Sequence, residues 1–145
     1  MPTARAETNT TQENDMNAHD TKAQALELMQ ATELVTKLYQ AIDTLEAAAL
    51  APFLSPSVTF QLGNNLPVNG REAVLEINAS FFTSIAGMAH TIDEIWSQGA
   101  NIICNGSVRY TRFDGSHLSI PFATILTIER GLIHDYKVYA DVSPL

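Results

Sequence analysis

The second half of the chain is a succession of strand-like segments, which restricts the folds that are open to it. Predicted strands cover residues 88–97, 101–113, 116–129 and 132–145, all rich in β-branched and aromatic residues. The pair Asp114-Gly115 is a strong two-residue hairpin signal, and Arg130-Gly131 predicts the turn into the closing strand. Turns this short join antiparallel neighbours. We therefore expect an antiparallel meander from residue 88 to the C-terminus.

The first half carries helical patterns instead. Apolar residues recur at helical spacing from 22 to 43, a short helix is predicted for 45–53, and a third helix should run from Asn69 to Gly87. Residues 57–62 alternate like a strand. Helices followed by a run of antiparallel strands indicate an α+β fold in which the helices lie on one side of the sheet. Such a sheet curls around its helices and leaves a ligand cavity at the open end.

Length and composition limit the organisation and the partners of the chain. Residues 1–21 hold almost no large apolar group, so they are expected to form a disordered tail before a single domain at 22–145. The net charge of -8 disfavours nucleic acid and anionic membranes as partners. The N-terminal residues have no apolar signal region and no later stretch is long enough to span a membrane, so a soluble, cytoplasmic protein is expected.

Neither a metal nor another cofactor is predicted. Cys104 is the single cysteine, which excludes an intramolecular disulfide and a cysteine-rich metal site. His117, His134 and Asp135 fall on adjacent predicted strands, but they lack the spacing of a metal-binding motif. The expected partner is therefore a small hydrophobic molecule.

Several motifs resemble those of a known superfamily. They are G-M-A-H at 87–90, W-S-Q-G at 96–99, V-R-Y-T-R-F-D-G at 108–115, I-P-F-A at 120–123 and G-L-I-H-D-Y-K-V-Y-A-D-V-S-P-L at 131–145. From residue 23 onward the chain resembles the nuclear-transport-factor-2-like superfamily, in particular its SnoaL-like branch, which is related to polyketide cyclases, ketosteroid isomerase and limonene epoxide hydrolase. The resemblance implies a cone-shaped, mostly antiparallel sheet wrapped around three N-terminal helices.

The same resemblance limits the catalytic mechanisms that are expected for this chain. Ketosteroid isomerases use a carboxylate base where this chain has Gln61, and their second acidic residue falls near Ala123, so only Tyr39 finds a counterpart. Limonene epoxide hydrolases place an arginine between two aspartates. Here Asp141 and Arg109 correspond, but no aspartate lies in 102–111. SnoaL-like cyclases use an aspartate assisted by a histidine, which this chain supplies as Asp141 and His90.

Three residues are the candidate catalytic groups. Asp141 is the proposed acid/base, because an isolated carboxyl in an apolar cone should have a raised pKa; the alternative is that it pairs with Lys137 or caps a loop. His90 would relay a proton if its face of the strand is concave, although a lone histidine is often a core residue. Tyr139, like Tyr39, could donate a hydrogen bond to a ligand oxygen or belong to the core.

Other residues are candidate walls of the cavity. The expected substrate-binding residues are Tyr39, Phe60, Gln61, Leu62, Phe82, Trp96, Tyr110 and Phe122, with packing in the core as the alternative for each. Apolar residues on both parities of 123–128 predict a homodimer through the sheet face. The sequence thus favours an acid/base enzyme of isomerase, cyclase or lyase type without a cofactor. The alternatives are a non-catalytic ligand- or protein-binding module and, less favoured, an epoxide hydrolase.

Overall fold

The computed structural model describes residues 4–145, with side chains described from Asn17 onward. Its elements are α1 (Ala4–Asp43), a 3-10 helix (Ala47–Phe53), β1 (Leu54–Leu62), β2 (Val68–Asn69), α2 (Arg71–Phe82), β3 (Gly87–Gln98), β4 (Asn101–Thr111), β5 (His117–Glu129) and β6 (Leu132–Tyr139). None of the described helices is both long enough and apolar enough to cross a membrane. The element order is the predicted one except for the two-residue strand β2, which was not predicted.

The six strands form one curved sheet in the order β2-β1-β6-β5-β4-β3. All neighbouring strands are antiparallel except β1 and β6, which run parallel. The two edge strands do not pair with each other, so the sheet remains open and wraps around the helices as a half-barrel. The predicted α+β architecture, a mostly antiparallel sheet curved around three helices, is confirmed.

The long first helix packs into the sheet only through its C-terminal half. Ala31, Val35, Leu38, Tyr39 and Ile42 are buried on one face, at the spacing expected of an amphipathic helix. Residues 17–30 are exposed. The predicted helix start near residue 22 was wrong, because the helix begins at Ala4. The first three residues of the predicted tail lie outside the described residues, and its disorder stays a prediction.

The start of α2 also differs from the expectation. Gly70, with φ of 93°, is the N-cap and no side chain caps the helix. Asn69, where the helix was expected to begin, belongs to β2, and its side-chain oxygen accepts a hydrogen bond from Thr59 Oγ1 at 2.9 Å. The helix ends at Phe82 rather than at Gly87, which is the first residue of β3.

A β-bulge at Asp93 changes which side chains of β3 point into the core. Pairing with β4 is regular from Gly87↔Thr111 to Ile92↔Gly106 and resumes one residue later at Glu94↔Asn105. Gly106 is required there, because a Cβ on this residue would collide with the carbonyl oxygen of Thr91. Met88, His90 and Ile92 therefore face the helices before the bulge, and Ile95 does so after it.

Candidate active site

A cavity of about 320 Å³ occupies the space between α1, α2 and the concave face of the sheet. Its lining comes from Tyr39, Ile42, Phe60, Leu62, Asn65, Leu66, Val68, Ile77, Asn78, Ser80, Phe81, Phe82, Met88, His90, Val108, Tyr110, Phe122, Tyr136, Val138 and Ala140. The volume and the mainly apolar walls with a few polar groups are typical of small-molecule sites.

His90, on the cavity wall, forms a close pair with Asp43. The Nδ1 atom of His90 lies 2.6 Å from Oδ1 of Asp43, and the backbone N–H of His90 donates to Oδ2 at 2.9 Å. The His90 side chain is 6% exposed and that of Asp43 is 27% exposed. Because Asp43 is held at two points by one residue, the ring has a fixed orientation with Nδ1 toward the carboxylate.

The position of Asp43 follows from the end of α1. It is the last residue of the helix, four residues after Tyr39 and therefore on the same face. A carboxylate at a helix C-terminus is unfavourable with respect to the helix dipole, and the last turn contains no basic residue to offset it. The two hydrogen bonds with His90 supply the compensation.

The His90 ring is clamped between aromatic neighbours. Its centroid lies 4.5 Å from that of Tyr39 and 5.1 Å from that of Phe122, the latter in edge-on geometry. Within the described part of the chain, Nε2 makes no hydrogen bond. Among the described residues, Asn105 Oδ1 is the one fully buried side-chain oxygen or nitrogen without a hydrogen-bond partner. Nε2 of His90 also lacks a partner but does not belong to this class, so it is not fully buried. Nε2 is thus the nitrogen that can reach a ligand.

Two further tyrosines stand behind this pair. The hydroxyl of Tyr39 shares a 2.6 Å hydrogen bond with Thr124 Oγ1, and the hydroxyl of Tyr136 lies beside it. Burial raises the pKa of both tyrosines, although the hydrogen bond with Tyr39 partly opposes the shift in the pKa of Tyr136. Both phenols therefore stay protonated, and the Tyr39 hydroxyl already has a hydrogen-bond partner in Thr124.

Tyr110 brings another hydroxyl to the same cavity. Its ring packs edge-on against Phe81 with centroids 6.0 Å apart, and its residue is 3% exposed. Burial and then the charge of Asp43 raise the pKa of Tyr110 to about 12. Cys104, on the same strand, is a fully buried thiol whose pKa burial raises to about 11, so it is protonated at neutral pH.

Most of the residues predicted as walls do line the cavity. The structure brings together His90, Tyr39, Phe60, Leu62, Phe82, Tyr110 and Phe122. Among the described residues, no three histidine, cysteine, aspartate or glutamate side chains gather at one point. A histidine whose ring nitrogen contacts a carboxylate, as His90 contacts Asp43, is an arrangement suited to proton transfer.

Asp141 does not lie in the cavity, and the expectation of a raised pKa was wrong. It lies two residues after Tyr139, the last residue of β6, and is exposed, and its Oδ1 accepts a hydrogen bond from the backbone N–H of Ser143 at 3.0 Å. Hydrogen bonds from Ser143 lower the pKa of the Asp141 carboxyl. The residue caps a terminal turn, which was the alternative interpretation, and Lys137 instead contacts Asp135 at 3.6 Å.

Three other predicted residues point away from the cavity. Tyr139 and Gln61 lie on the convex face, because Tyr136 and Phe60 set the inward parity of β6 and β1. Tyr139 is 53% exposed, and Gln61 donates to the carbonyl oxygen of Asn65 at 3.0 Å. Trp96 is 47% exposed because the bulge at Asp93 places it on the convex face, opposite to the face that carries His90.

Sequence reasoning did not identify Asp43. Its partner is 47 residues away, so no local spacing links the two. One feature of the sequence could have indicated its role. Asp43 is an acidic residue at the C-terminal end of a predicted helix, where the helix dipole disfavours it, and it follows the inward-facing Tyr39 by one turn.

Comparison with known protein families gives one match. The model of the SnoaL-like domain family matches residues 35–136, more than half of the chain. No curated protein sequence matches the chain at a significant level.

Solved structures share the fold at low sequence identity. A protein from Jannaschia sp. CCS1, assigned as a SnoaL-like polyketide cyclase, is 16% identical with a TM-score of 0.70, covering 80% of this chain and 88% of its own. A protein of ketosteroid isomerase-like fold from Catenulispora acidiphila, in complex with trimethylamine, is 19% identical with a TM-score of 0.70, covering 77% and 87%. An epoxide hydrolase from M. tuberculosis, of LEH-like type, is 14% identical with a TM-score of 0.69, covering 80% and 86%.

Proposed function

We propose, since the chain belongs to the SnoaL-like domain family, that it is an acid/base enzyme in which His90 transfers a proton to or from a hydrophobic, oxygen-bearing small molecule. The observation that carries the proposal is the contact of Asp43 with His90, a residue that lines an apolar cavity. Proton transfer of this kind suits isomerisation, cyclisation or a lyase step and needs no cofactor.

In this mechanism Asp43 has a positioning role. Its carboxylate accepts the Nδ1 proton and so keeps the neutral ring in the tautomer whose Nε2 is free to act as a base. When Nε2 takes up a proton, the imidazolium that forms is stabilised by the adjacent negative charge. The proton can then return to another atom of the same molecule, which regenerates the neutral ring.

The surroundings favour this chemistry. Tyr39 and Phe122 hold the ring of His90 from two sides, so its reach is fixed before a ligand binds. Ile42, Val108 and Met88 contribute apolar walls to the cavity that His90 lines. The pair is therefore pre-organised in an environment of low polarity.

Epoxide hydrolysis of the arginine-aspartate type is less well supported. Arg109 is exposed and pairs with Ala89 and Ser119 on the convex face of the sheet. Asp141 lies beyond the end of β6 and does not line the cavity. The groups that would activate water are thus separated from the cavity, while His90 lines it and Asp43 contacts His90.

A generic proton-transfer assay tests the proposal without knowledge of the natural substrate. The enolisable ketone 2-acetonaphthone in D₂O should exchange its methyl protons faster with the protein than in buffer, as followed by proton NMR. His90→Gln should lower the protein-dependent rate by about 10²-fold or more. The matched control is His134→Gln, because His134 is 44% exposed in its side chain and lies outside the cavity.

Exchange at the buffer rate in the wild-type protein, or equal exchange in His90→Gln, would contradict an acid/base function. Retained binding of the ketone in that case would identify the cavity as a non-catalytic binding site. Equal losses in His90→Gln and His134→Gln would also count against the proposal, because the effect would then not come from the cavity.

We also propose that the protein is a homodimer through the convex face of its sheet. Trp96 and Ile103 pair across β3 and β4 on this face and are 47% and 39% exposed, and Ile125 is the next partner on β5. These neighbours form an apolar patch that association would bury. Sedimentation velocity at micromolar concentration should give the dimer mass for the wild type and the monomer mass for Ile103→Glu. The Ala48→Glu control, on the 3-10 helix, should stay dimeric, and a monomeric wild type would refute the proposal.

A further inference from the structure

We propose that Thr124 is a positioning residue for the acid/base chemistry. Through its hydrogen bond with Tyr39, it fixes the plane of the His90 ring and with it the direction of Nε2. The proposal rests on the acid/base function above and adds to it a residue that does not line the cavity. Thr124 therefore acts through its neighbour and not by contact with a ligand.

The burial of Thr124 sets it apart from the rest of the core. It is 0% exposed, and apart from tyrosine and cysteine it is the one polar residue that is buried in the part of the chain that the structure describes. A valine would fill a similar space without a hydroxyl to desolvate, so this hydroxyl needs a partner that offsets its burial. The partner is the hydroxyl of Tyr39, at 2.6 Å.

This hydrogen bond is one of two places where side chains of α1 are bonded to the sheet. Among the described residues, only Tyr39 and Asp43 of the helix form such bonds, and they lie one turn apart on the same face. Asp43 bonds to His90 on the edge strand β3. Tyr39 bonds to Thr124 on β5, which is two strands further into the sheet. The last turn of α1 is thus fixed to the sheet at two separate points.

The contact with Asp43 fixes one atom of the His90 ring but not the plane of the ring. A ring that is held at Nδ1 can still tilt about the line from Nδ1 to Oδ1. The rings of Tyr39 and Phe122, with centroids 4.5 and 5.1 Å from that of His90, limit this tilt. The direction of Nε2 therefore depends on where the Tyr39 ring lies.

Tyr39 needs an anchor because it borders empty space. Its side chain lines the cavity of about 320 Å³, so the ring has room to turn on that side. Phe122 contacts the ring with centroids 5.4 Å apart, and Thr124, two residues later on β5, holds the hydroxyl. The hydroxyl contact is the directional one of the two, because a hydrogen bond restricts both distance and angle.

A second contact of Tyr39 shows which way the ring would move without Thr124. The Tyr39 hydroxyl also has a hydrogen bond with Tyr136 on β6. In the sheet, β6 and β3 lie on opposite sides of β5, so Tyr136 and His90 are on opposite sides of Thr124. If the Thr124 hydroxyl were removed, the contact with Tyr136 would remain and would draw the Tyr39 ring away from His90.

The first measurement needs no ligand and follows the Nδ1–H proton of His90 by NMR. In the wild type this proton should exchange slowly with water, because the ring is held against Asp43. Thr124→Val should speed the exchange about tenfold or more, whereas Thr124→Ser keeps the hydroxyl and should stay near the wild-type rate. Thr127→Val makes the same chemical change three residues later on β5, outside the cavity lining, and should have no effect.

The second measurement follows methyl exchange of 2-acetonaphthone. Thr124→Val should lower the rate about tenfold, because proton transfer depends steeply on the position of Nε2. The affinity for the ketone should stay within about twofold, since Thr124 does not line the cavity. Tyr39→Phe should reproduce the loss of rate. The double variant should lose no more than either single variant, because both changes remove the same contact.

Equal Nδ1–H exchange in wild type and Thr124→Val would overturn the proposal, and so would fast exchange in the wild type, because the ring would then not be fixed. Additive losses in the double variant would show that Thr124 acts by another route. A loss in Thr124→Ser as large as in Thr124→Val would assign the effect to packing. If Thr124→Val does not fold, Tyr39→Phe removes the same bond and gives the same test.

The acid/base function fails separately from this proposal. Methyl exchange at the buffer rate in the wild type would refute proton transfer, while the Nδ1–H rates would still decide whether Thr124 fixes the ring. Normal methyl exchange in the wild type with no effect of Thr124→Val on either measurement would refute the positioning role alone.

Discussion

Asp43 holds His90 at two points, with Oδ1 2.6 Å from the ring nitrogen Nδ1 and Oδ2 accepting the backbone N–H at 2.9 Å. One side chain thus joins the C-terminus of α1 to β3 and sets the direction of the imidazole. The arrangement links packing to chemistry, because the contact that positions the helix end also frees Nε2 toward the cavity.

Replacement of Asp43 by asparagine tests this double role. Asp43→Asn keeps the size of the side chain but removes the charge that stabilises the imidazolium, so methyl exchange of the ketone should fall by about tenfold or more while ketone affinity stays near the wild-type value. Proton-nitrogen NMR of the imidazole should show a change in the Nδ1–H tautomer of His90. An unchanged rate and tautomer would show that the pair has no part in proton transfer.

Replacement of Asp141 should have little effect. The residue is exposed beyond the last strand and its carboxylate accepts from the backbone N–H of Ser143, so it is remote from the proposed chemistry. Asp141→Asn should leave the exchange rate within about twofold and the melting temperature nearly unchanged, as is usual for surface substitutions. A loss of exchange as large as that in His90→Gln would restore Asp141 as the acid/base group.

The sequence predicted the fold better than the site, for physical reasons. Alternation within strands and the turns at Asp114-Gly115 and Arg130-Gly131 are local, so the meander could be recognised. The face on which a side chain lies can be predicted from the local sequence only while the strand alternates regularly between its two faces. The bulge at Asp93 inverts this alternation, which explains why Trp96 was predicted to line the cavity although it lies on the convex face.

The closing strand illustrates the same limit. β6 does lie inside the sheet, between β1 and β5, as its apolar residues indicate. It ends at Tyr139, however, so Asp141 is not a strand residue at all. The carboxylate that contacts the cavity residue His90 belongs to Asp43 on a helix, and this contact depends on tertiary packing that no short motif reveals.

The stability of the protein should fall as the pH rises from about 10 to 12. Burial and then the charge of Asp43 raise the pKa of Tyr110 from 10.0 to about 12. Below pH 10 both states keep the phenol proton and stability is independent of this group. Above it the unfolded chain releases the proton before the folded chain does, so ionisation favours unfolding.

Urea midpoints at pH 9, 10 and 11 measure this dependence. Tyr110→Phe should lose less stability over this range than the wild type, because one of the buried groups with a raised pKa is absent. Tyr139→Phe is the matched control, since its ring is 53% exposed, and it should follow the wild type. Parallel curves for wild type and Tyr110→Phe would contradict the buried, protonated state assigned to Tyr110.

The bulge opposite Gly106 should tolerate no side chain. A Cβ at this position would collide with the Thr91 carbonyl oxygen, which is backbone and cannot rotate away. Gly106→Ala should therefore lower the free energy of unfolding by about 3 kcal/mol, as overpacking of a tight contact does. Because His90 lies one residue before Thr91, ketone affinity should fall as well. Ser107→Ala, at the neighbouring exposed position, should change neither, and a loss below about 1 kcal/mol in Gly106→Ala would show that the strand pair relaxes around the new methyl group.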